Sequence, residues 1–296
     1  MSEDEKQRAH EGATVDGLRD AETERASPRG TGSDVDDATE ANFRRRTRRS
    51  FLVGGVSVLG ALAGWQWLRT RPEEDGVPWP LRRGLGFNEK LSRAYFGNRP
   101  AATYDGTGRE LPRVNGDIGL GEDFDSASWK LRVSSKTSGQ SGRGEERELT
   151  LADIKRLPRV EYITYLKCIE GWSDMAHWAG ARFSDFAATY AGATGIEQSP
   201  GVPQTQSDLP PYVSLSTPDD EYYVGLDTAS AMHPQTLLVY EMGGQPLTPE
   251  HGAPLRLFTP VKYGVKNLKR IGRIHFTDER PRDYWAERGY DWYAGH

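Results

Sequence analysis

Cys168 is the single cysteine in this chain of 296 residues, and it begins the stretch Cys-Ile-Glu-Gly-Trp-Ser at 168–173. One sulfur can form neither an intramolecular disulfide nor a multi-cysteine metal site. A thiolate is a soft ligand, and one thiolate suits a metal that an organic cofactor already holds through other sulfurs. The alternative is a buried structural cysteine, since a free cysteine packs as a small apolar side chain. The residue alone leaves both interpretations open.

The segment 44–68 has the pattern of an export signal or a membrane anchor. Five arginines lie within 44–49 and precede an uncharged run at 51–68. Thr-Arg-Arg-Ser-Phe-Leu at 47–52 matches the twin-arginine pattern, which addresses already folded proteins for export. Ala-Leu-Ala at 61–63 offers a cleavage site, although the apolar run also approaches spanning length, so uncleaved anchoring stays open. We predict a location in the periplasm or on the outer face of the cytoplasmic membrane, because flanking positive charge stays in the cytoplasm.

Composition divides the rest of the chain into three parts. Residues 1–43 are acidic and polar with few large apolar side chains, which predicts a disordered extension. Residues 69–121 are rich in Pro, Gly and charge, and we predict an extended lead-in without a long helix. The globular domain itself is predicted at 122–296. The net charge of −5 shows no basic excess, so we exclude nucleic acid as a partner.

Export also bears on Cys168. An oxidising envelope compartment favours disulfides, yet the chain has no cysteine pair. Folding before export is what a protein requires when its cofactor is inserted in the cytoplasm. Both considerations favour the cofactor-ligand interpretation of Cys168.

The domain is predicted to contain short strands and few short helices. We predict strands at 129–133, 160–166, 212–216 and 236–240, a final strand pair at 255–258 and 272–276, and helices at 149–157 and 183–191. The strand at 160–166 ends just before Cys168, where a rigid scaffold can present a reactive group. The fold class is therefore α+β, with mixed sheets and short helices.

Three ordered motifs carry a family resemblance. The first is 168–173 with Trp178 after it, the second is Ala-Met-His-Pro-Gln-Thr-Leu-Leu at 231–238, and the third is Gly-Ala-Pro-Leu-Arg-Leu at 252–257, continuing to Lys269. In order and spacing they resemble the sulfite oxidase superfamily of molybdopterin-dependent oxidoreductases, and within it the catalytic subunits of periplasmic methionine-sulfoxide reductases. The resemblance covers roughly residues 85–296. It implies a sulfite-oxidase-type molybdopterin-binding fold and one molybdenum–molybdopterin cofactor per chain.

The resemblance also implies site residues. Cys168 would ligate molybdenum beside the two dithiolene sulfurs of molybdopterin. The other cofactor contacts would come from Asn88, Leu91, Ser92, Thr217, His251, Arg256, Asn267, Leu268 and Lys269. Arg256 and 267–269 would hold the pterin and its phosphate, because Arg contacts phosphate oxygens in bidentate fashion and Lys adds charge. His251 replaces the family's asparagine, and an imidazole can still donate a hydrogen bond.

Several nearby side chains have alternative interpretations. His233 and His251 lack the short His/Cys/Glu spacing of a zinc site, so packed or hydrogen-bonding histidines are the better interpretation. Lys262 and Lys266 are equally typical of a solvated face when considered alone. Trp172, like Trp178, either lines a substrate channel or packs in the core.

The residues after Cys168 bear on the reaction. Sulfite oxidases of this superfamily place arginines beside the cysteine to hold an anionic substrate, whereas here Glu170 and Trp172 follow and no arginine occurs before Arg182. We therefore predict oxygen-atom transfer that reduces a small-molecule or protein-bound sulfoxide such as methionine sulfoxide. A sulfite-oxidising dehydrogenase is one alternative. A cofactor-free, membrane-tethered binding domain is another.

Two further partners are expected. The chain has no Cys-x-x-Cys-His haem motif, so electrons must come from another protein. The resemblance implies that this donor is a haem-bearing membrane subunit. The twin-arginine export machinery would be a transient partner.

Overall fold

A 38-residue helix, α1 (Gly32–Arg69), opens the described part of the chain. The computed structural model describes residues 32–97, 99–106, 111–121, 124–136, 146–190 and 209–296. By length and composition, Asn42–Arg69 could cross a membrane; its apolar window has a mean hydropathy of 1.5, and none of that window is buried. The chain forms two compact units, 1–64 and 65–296.

The structure describes only part of the segment 1–43, for which we predict a disordered extension. Residues 1–31 lie outside the described residues, whereas 32–43 are helical and continuous with the apolar segment, which differs from the prediction. Starting a helix is costly, but extending one adds a hydrogen bond for each residue that is fixed. The apolar helix can therefore continue into polar chain.

The remaining elements are short, apart from α2. The strands are β1 (Glu73–Glu74), β2 (Val77–Pro78), β3 (Leu131–Lys136), β4 (Arg147–Leu149), β5 (Arg159–Lys167), β6 (Ser173–Arg182), β7 (Tyr212–Ser216), β8 (Tyr223–Asp227), β9 (Leu237–Met242), β10 (Gln245–Pro246), β11 (Arg256–Phe258) and β12 (Arg273–Thr277). The helices are α2 (Trp79–Tyr95), α3 (Leu151–Lys155), α4 (Phe183–Tyr190) and α5 (Thr228–Ala231). Single 3₁₀ turns occur at Pro249–His251, Gly264–Lys266 and Ala286–Arg288.

The predicted extended lead-in at 69–121 is wrong for α2, a helix of 17 residues. Its sequence conceals the helix because the usual amphipathic arrangement is inverted. Arg82 faces inward and is 8% exposed, while Phe87 and Leu91 are exposed. The Arg82 guanidinium donates to the carbonyl oxygens of Asp75 at 2.7 Å and Ala286 at 2.6 Å, so it satisfies its buried charge with backbone dipoles.

Two five-stranded sheets form the domain. The first has the order β10–β9–β6–β5, with β11 also paired to β9, and all of its pairs are antiparallel. The second has the order β4–β3–β12–β7–β8, and its β12–β3 pair is parallel. Buried side chains from both sheets, including Leu131, Leu215, Leu238 and Phe276, belong to one hydrophobic cluster. The sheets therefore pack against each other, and the α+β class is confirmed.

The predicted final strand pair at 255–258 and 272–276 is wrong. Both strands exist, as β11 and β12, but β11 pairs with β9 whereas β12 lies between β3 and β7 in the other sheet. The connecting chain makes the crossing: Leu257 N–H donates to the Leu268 carbonyl at 2.8 Å, and Ile271 N–H donates to the Leu255 carbonyl at 2.8 Å. The lysines of the third motif, up to Lys269, lie on this connection between the two sheets.

Candidate active site

The β5–β6 hairpin presents Cys168. These two strands pair along their length down to Lys167 and Ser173. In the loop between them, Cys168 N–H donates to the Trp172 carbonyl at 2.8 Å, and Gly171 N–H donates to the Cys168 carbonyl at 3.1 Å. Gly171 has φ 87°, a left-handed conformation that favours glycine. The expected position of Cys168 at a strand end is confirmed, and a tight hydrogen-bonded loop fixes it.

Cys168 is 7% exposed and lines a cavity of about 160 Å³. Burial raises the pKa of its thiol, and this effect outweighs nearby backbone N–H groups that favour the thiolate. The Asn115 amide lies 3.8 Å from Sγ, within reach of a hydrogen bond to sulfur. The lone sulfur is therefore held as a thiol at the cavity wall unless a positive centre binds there.

Arg256, at the start of β11, is a buried cation in the cavity wall. Its guanidinium donates to the carbonyl oxygens of His251 at 3.1 Å and Asn267 at 3.5 Å, and its Nε has no partner. Burial lowers its pKa from 12.5 to about 10, so it stays charged at neutral pH. Within the described residues it makes no ion pair with a carboxylate. A buried guanidinium in this state is suited to an anionic ligand.

Asn267 and Lys269 extend this polar wall. The side-chain amide oxygen of Asn267 (Oδ1) accepts from Thr259 N–H at 2.6 Å, whereas its buried side-chain nitrogen (Nδ2) has no partner. The Lys269 ammonium donates to the carbonyl oxygens of Asn115 at 2.9 Å and Gly116 at 2.8 Å. Burial and nearby Arg256 lower the pKa of Lys269 to about 8. Unused donors and positive charge thus lie close together in the cavity lining.

His251 lines the cavity, but the protein uses both of its ring nitrogens. Nε2 lies 2.9 Å from the Pro112 carbonyl and Nδ1 lies 2.8 Å from the Thr248 hydroxyl. The carbonyl can only accept, so Nε2 carries the proton and Nδ1 accepts from the hydroxyl. Burial, with Arg256 and Lys269 nearby, lowers the pKa of His251. The ring is therefore neutral, and a hydrogen bond from it to a cofactor would require one of these partners to be released.

Aromatic side chains form another part of the cavity lining. They include Trp172, Tyr222, Trp285 and Tyr290. The Trp172 indole donates to the Glu170 carboxylate at 2.8 Å, and the Arg113 guanidinium lies 5.1 Å from the Trp172 ring centroid. The cavity lining therefore combines Cys168 with two sets of side chains, here called the cationic wall (Arg256, Asn267 and Lys269) and the aromatic wall (Trp172, Tyr222, Trp285 and Tyr290).

Five predicted cofactor contacts do not line this cavity. Leu268 lies in the hydrophobic core with its backbone paired, and the buried Thr217 hydroxyl is bonded to Asp219. The other three, Asn88, Leu91 and Ser92, lie on α2 and outside the lining. Their assignment to the cofactor stays a prediction.

Neither Lys262 nor Lys266 is solvated. Each is 1% exposed, and they form ion pairs with Asp227 at 3.3 Å and Asp283 at 2.5 Å, respectively. Trp178 is also core, since its ring stacks on Phe258 at 3.9 Å. Trp172 lines the cavity, whereas Lys262, Lys266 and Trp178 do not.

The structure adds residues that sequence reasoning missed. An asparagine does lie beside Cys168, but it is Asn115, which precedes Gly116 in the predicted lead-in. An Asn-Gly pair marks a turn, and that was the available signal. Arg113 was missed as well, because it is distant in sequence from Cys168. Tertiary folding alone brings it into the cavity lining.

The fold and this site match one protein family. A family model described as "Oxidoreductase molybdopterin binding domain" matches residues 119–285, more than half of the chain. The chain belongs to this family and is a molybdopterin-dependent oxidoreductase with a molybdenum–molybdopterin cofactor. The predicted assignment to the molybdopterin-dependent oxidoreductases is thereby confirmed.

Two sequence relatives agree with this assignment. The chain is 33% identical over 268 residues to the provisionally named protein-methionine-sulfoxide reductase subunit YedZ1 of Azospira oryzae, covering 88% of this chain and 91% of that protein. It is 35% identical over 266 residues to the protein-methionine-sulfoxide reductase catalytic subunit MsrP of Xanthomonas axonopodis pv. citri, covering 84% and 74%. A solved structure, the sulfane dehydrogenase SoxCD of Paracoccus pantotrophus, aligns with a TM-score of 0.42 at 15% identity over 53% of this chain and 40% of that chain.

The cavity's donor set fits the cofactor. The unpaired nitrogens of Arg256 and Asn267 are suited to phosphate or pterin oxygens, and Cys168 can supply a thiolate. Within the described chain, no group of three or more His, Cys, Asp or Glu side chains is placed to hold a metal ion. A metal at Cys168 would therefore need the sulfurs of an organic cofactor, and a bound metal deprotonates a coordinating thiol.

Proposed function

We propose that this oxidoreductase reduces a sulfoxide, methionine sulfoxide in free or protein-bound form, by oxygen-atom transfer. The cavity carries the proposal, because Cys168 shares one lining with a cationic wall that suits the cofactor and an aromatic wall that suits an uncharged substrate. The names of the relatives from Azospira and Xanthomonas support the same substrate class. Reduction of a sulfoxide to a sulfide and water consumes two electrons and two protons, and the electrons must reach the site from another protein.

The cationic wall would hold the cofactor. Arg256 and Asn267 each have an unused buried donor, and Lys269 adds positive charge beside them. Cys168 would be the protein's ligand to molybdenum, and Asn115 would donate a hydrogen bond to its sulfur. When bound, the molybdenum cofactor supplies two-electron oxygen-atom transfer. The protein's part is ligation, charge neutralisation and orientation.

The aromatic wall would select the substrate. Trp172, Trp285 and Tyr290 offer apolar and polarisable surface of the kind that contacts a thioether or sulfoxide side chain. The Glu170 carboxylate bonded to Trp172 adds negative charge close to Cys168. A sulfite dianion would be repelled there, whereas a neutral sulfoxide would not.

Arg113 is a specific observation in favour of a second candidate, oxidation of sulfite. Its guanidinium lies in the cavity lining, where it could pair with an oxyanion. It is stacked near Trp172, and its own backbone N–H donates to the Asp174 carboxylate at 2.6 Å. The Glu170 carboxylate, bonded to the Trp172 indole, opposes the positive charge of Arg113. We therefore favour the sulfoxide as substrate.

An activity panel separates these candidates. Protein purified from a molybdenum-cofactor-competent host is analysed for molybdenum, then assayed for methionine sulfoxide reduction with a reduced viologen dye and for sulfite oxidation with ferricyanide. We expect about one molybdenum per chain and sulfoxide reduction only, with Cys168→Ser retaining part of the pterin and losing turnover. Sulfite oxidation alone would favour the second candidate. Absence of molybdenum would favour a cofactor-free binding domain, and full activity in the Ser variant would remove Cys168 from the site.

For location, we propose twin-arginine export, with α1 either cleaved or kept as a membrane anchor. The basic run before an apolar helix of spanning length supports this. A haem-bearing membrane subunit would be the electron donor.

The export proposal predicts a difference between arginine pairs. Arg48→Lys with Arg49→Lys should retain the protein in the cytoplasm, because the export receptor reads the adjacent arginines of the motif rather than their charge. Arg44→Lys with Arg45→Lys, outside the motif, is the matched control and should leave export intact. Cell fractionation followed by immunoblotting measures both. Equal export of the two variants would contradict twin-arginine targeting.

A further inference from the structure

One face of α2 is apolar and exposed. Phe87, Leu91 and Tyr95 are 60%, 52% and 76% exposed, respectively. Residues four apart lie on the same face of a helix, so these three side chains form one stripe, here called the apolar stripe. Gly84 continues it toward the helix start, and a side chain there would meet nothing within 4 Å. The stripe is thus an uncovered apolar surface in the described structure.

The opposite face of α2 is fixed to the domain. Arg82 is bonded to the Ala286 carbonyl at 2.6 Å, Ser92 donates to the Gly295 carbonyl at 3.0 Å, and Arg93 forms an ion pair with Asp227 at 3.4 Å. These contacts tie the helix to distant parts of the chain. The apolar stripe cannot turn inward unless they break.

Charge and aromatic residues beside the stripe indicate what covers it. Arg83 and Lys90 are exposed on the flank of the stripe. An amphipathic helix with an aromatic and aliphatic face and a basic border is typical of a helix that lies in the headgroup region of a bilayer. Long basic side chains there reach anionic headgroups while their stems stay in the apolar layer.

Chain connection gives the second argument. The candidate membrane span ends at Arg69, and α2 begins at Trp79, so nine residues, 70–78, separate them. Nine residues can extend at most about 30 Å. In the structure the Trp67 and Trp79 rings are in edge contact, with centroids 6.3 Å apart. Tryptophan is enriched at membrane–water interfaces, so the start of α2 has the composition of that boundary.

We propose that α2 is an interfacial helix that lies on the lipid bilayer, with Phe87, Leu91 and Tyr95 among the acyl chains and Arg83 and Lys90 at anionic headgroups. The proposal goes beyond the reaction and uses the anchor only as a tether. Since Arg82 of α2 also bonds the Tyr290 carbonyl at 3.3 Å, the helix is joined directly to the aromatic wall of the cavity. The aromatic wall would then be held at the membrane surface.

Spin-label accessibility tests the proposal on the full-length holoprotein in vesicles of phosphatidylcholine and phosphatidylglycerol without other proteins. A nitroxide at Phe87→Cys should collide with oxygen more often than with a water-soluble nickel complex, and Glu148→Cys on β4 should show the reverse. Buried Cys168 in the unsubstituted protein gives the labelling background. Arg83→Gln and Lys90→Gln should each shift the partition equilibrium of α2 between the bilayer and water toward water by roughly fivefold in anionic vesicles. In neutral vesicles the same substitutions should change this equilibrium little.

A Phe87→Cys label that prefers the nickel complex in these vesicles overturns the proposal, because lipid is then not the partner of the stripe. A label at Val58→Cys, within the candidate span, reports on the anchor separately. Lipid exposure at Val58 with water exposure at Phe87 leaves the anchor standing and rejects the interfacial helix. Lipid exposure at Phe87 supports it whatever the Val58 label shows.

Discussion

Arg256 is buried with a positive charge, and its described hydrogen bonds go to neutral carbonyl oxygens. Removing a charge from water costs several kcal/mol unless a partner compensates for it. The molecule therefore tolerates an unfavourable side chain in the absence of its ligand. Such a balance is common at binding sites, where function and stability compete.

Arg256→Met should therefore separate stability from cofactor binding. In protein from a cofactor-deficient host, we expect the free energy of unfolding to stay equal or rise by about 1–4 kcal/mol, because a buried uncompensated charge is replaced by an apolar chain. In a cofactor-competent host, molybdenum content should fall. Urea unfolding and metal analysis measure the two effects. Arg159→Met, which removes an exposed arginine paired with Glu241 at 2.9 Å, should change neither by much, and a parallel loss in both variants would refute the role of Arg256.

Four residues proposed to hold the metal and the cofactor were identifiable at this scale. Cys168, Arg256, Asn267 and Lys269 lie in or near motifs whose residue types suit a metal or a phosphate, and the structure brings all four to one cavity. Asn115 was not identifiable as their neighbour, because its contact with Cys168 spans 53 positions in sequence.

At the scale of elements, the β5–β6 hairpin is what places Cys168, and its position depends on β9. Gly180 in β6 faces β9 so closely that an added Cβ would overlap the Leu238 carbonyl oxygen. The pairing of β6 with β9 also shifts register between Ala179 and Gly180. A glycine is required here for close approach of two backbones rather than for a turn.

Gly180→Ala should accordingly destabilise the domain by about 1–3 kcal/mol or more, since neither backbone can move away without breaking the ladder. Activity per folded molecule should fall too, because the hairpin carries Cys168. The matched substitution is Gly84→Ala in α2, where nothing lies within 4 Å. Gly84→Ala should raise the free energy of unfolding by about 0.5–1 kcal/mol, because alanine has a higher helix propensity than glycine. Thermal unfolding compares them, and equal stability of the two variants would show that β6 and β9 do not need this contact.

The most regular strands followed from sequence, and α2 did not. The strands β5, β7 and β9 have runs of β-branched and aromatic residues, which fit a half-buried pleated surface. In α2 the buried residue is Arg82, while Phe87, Leu91 and Tyr95 are exposed, so the placement of these side chains contradicts the pattern of a soluble helix. Exposed apolar side chains on this helix are expected if the helix faces lipid instead of water.

At the scale of the whole molecule, buried ion pairs join separate segments. Lys262 is paired with Asp227, which also receives Arg93 from α2. Burial, opposed in part by Asp227, lowers the pKa of Lys262 from 10.5 to about 7. Between these two values the unfolded chain binds more protons at this position than the folded one, so the free energy of unfolding rises with pH in that window.

Lys262→Met should remove this contribution. The rise in the free energy of unfolding between about pH 7 and pH 10.5 should be smaller in the variant, even though its absolute stability falls because Asp227 loses a partner. Lys130→Met, at an exposed lysine, should keep the slope of the unsubstituted protein. Urea unfolding across the pH range measures this, and an unchanged slope in Lys262→Met would mean that the lysine stays protonated throughout.

Sequence by itself determined the chemistry available to this protein: one thiol, a basic motif suited to phosphate, a basic-apolar segment of spanning length and short strands of an α+β domain. Those features are local, because residue type, charge and periodicity act over a few positions. Only the tertiary structure decided which cationic side chains pair with carboxylates of the protein and which are available to a ligand. Lys262 and Lys266 meet carboxylates from other segments, whereas the described partners of Arg256 are carbonyl oxygens and the face of the Trp178 ring, with no carboxylate among them. That difference arises from contacts between residues far apart in the chain, which no local pattern encodes.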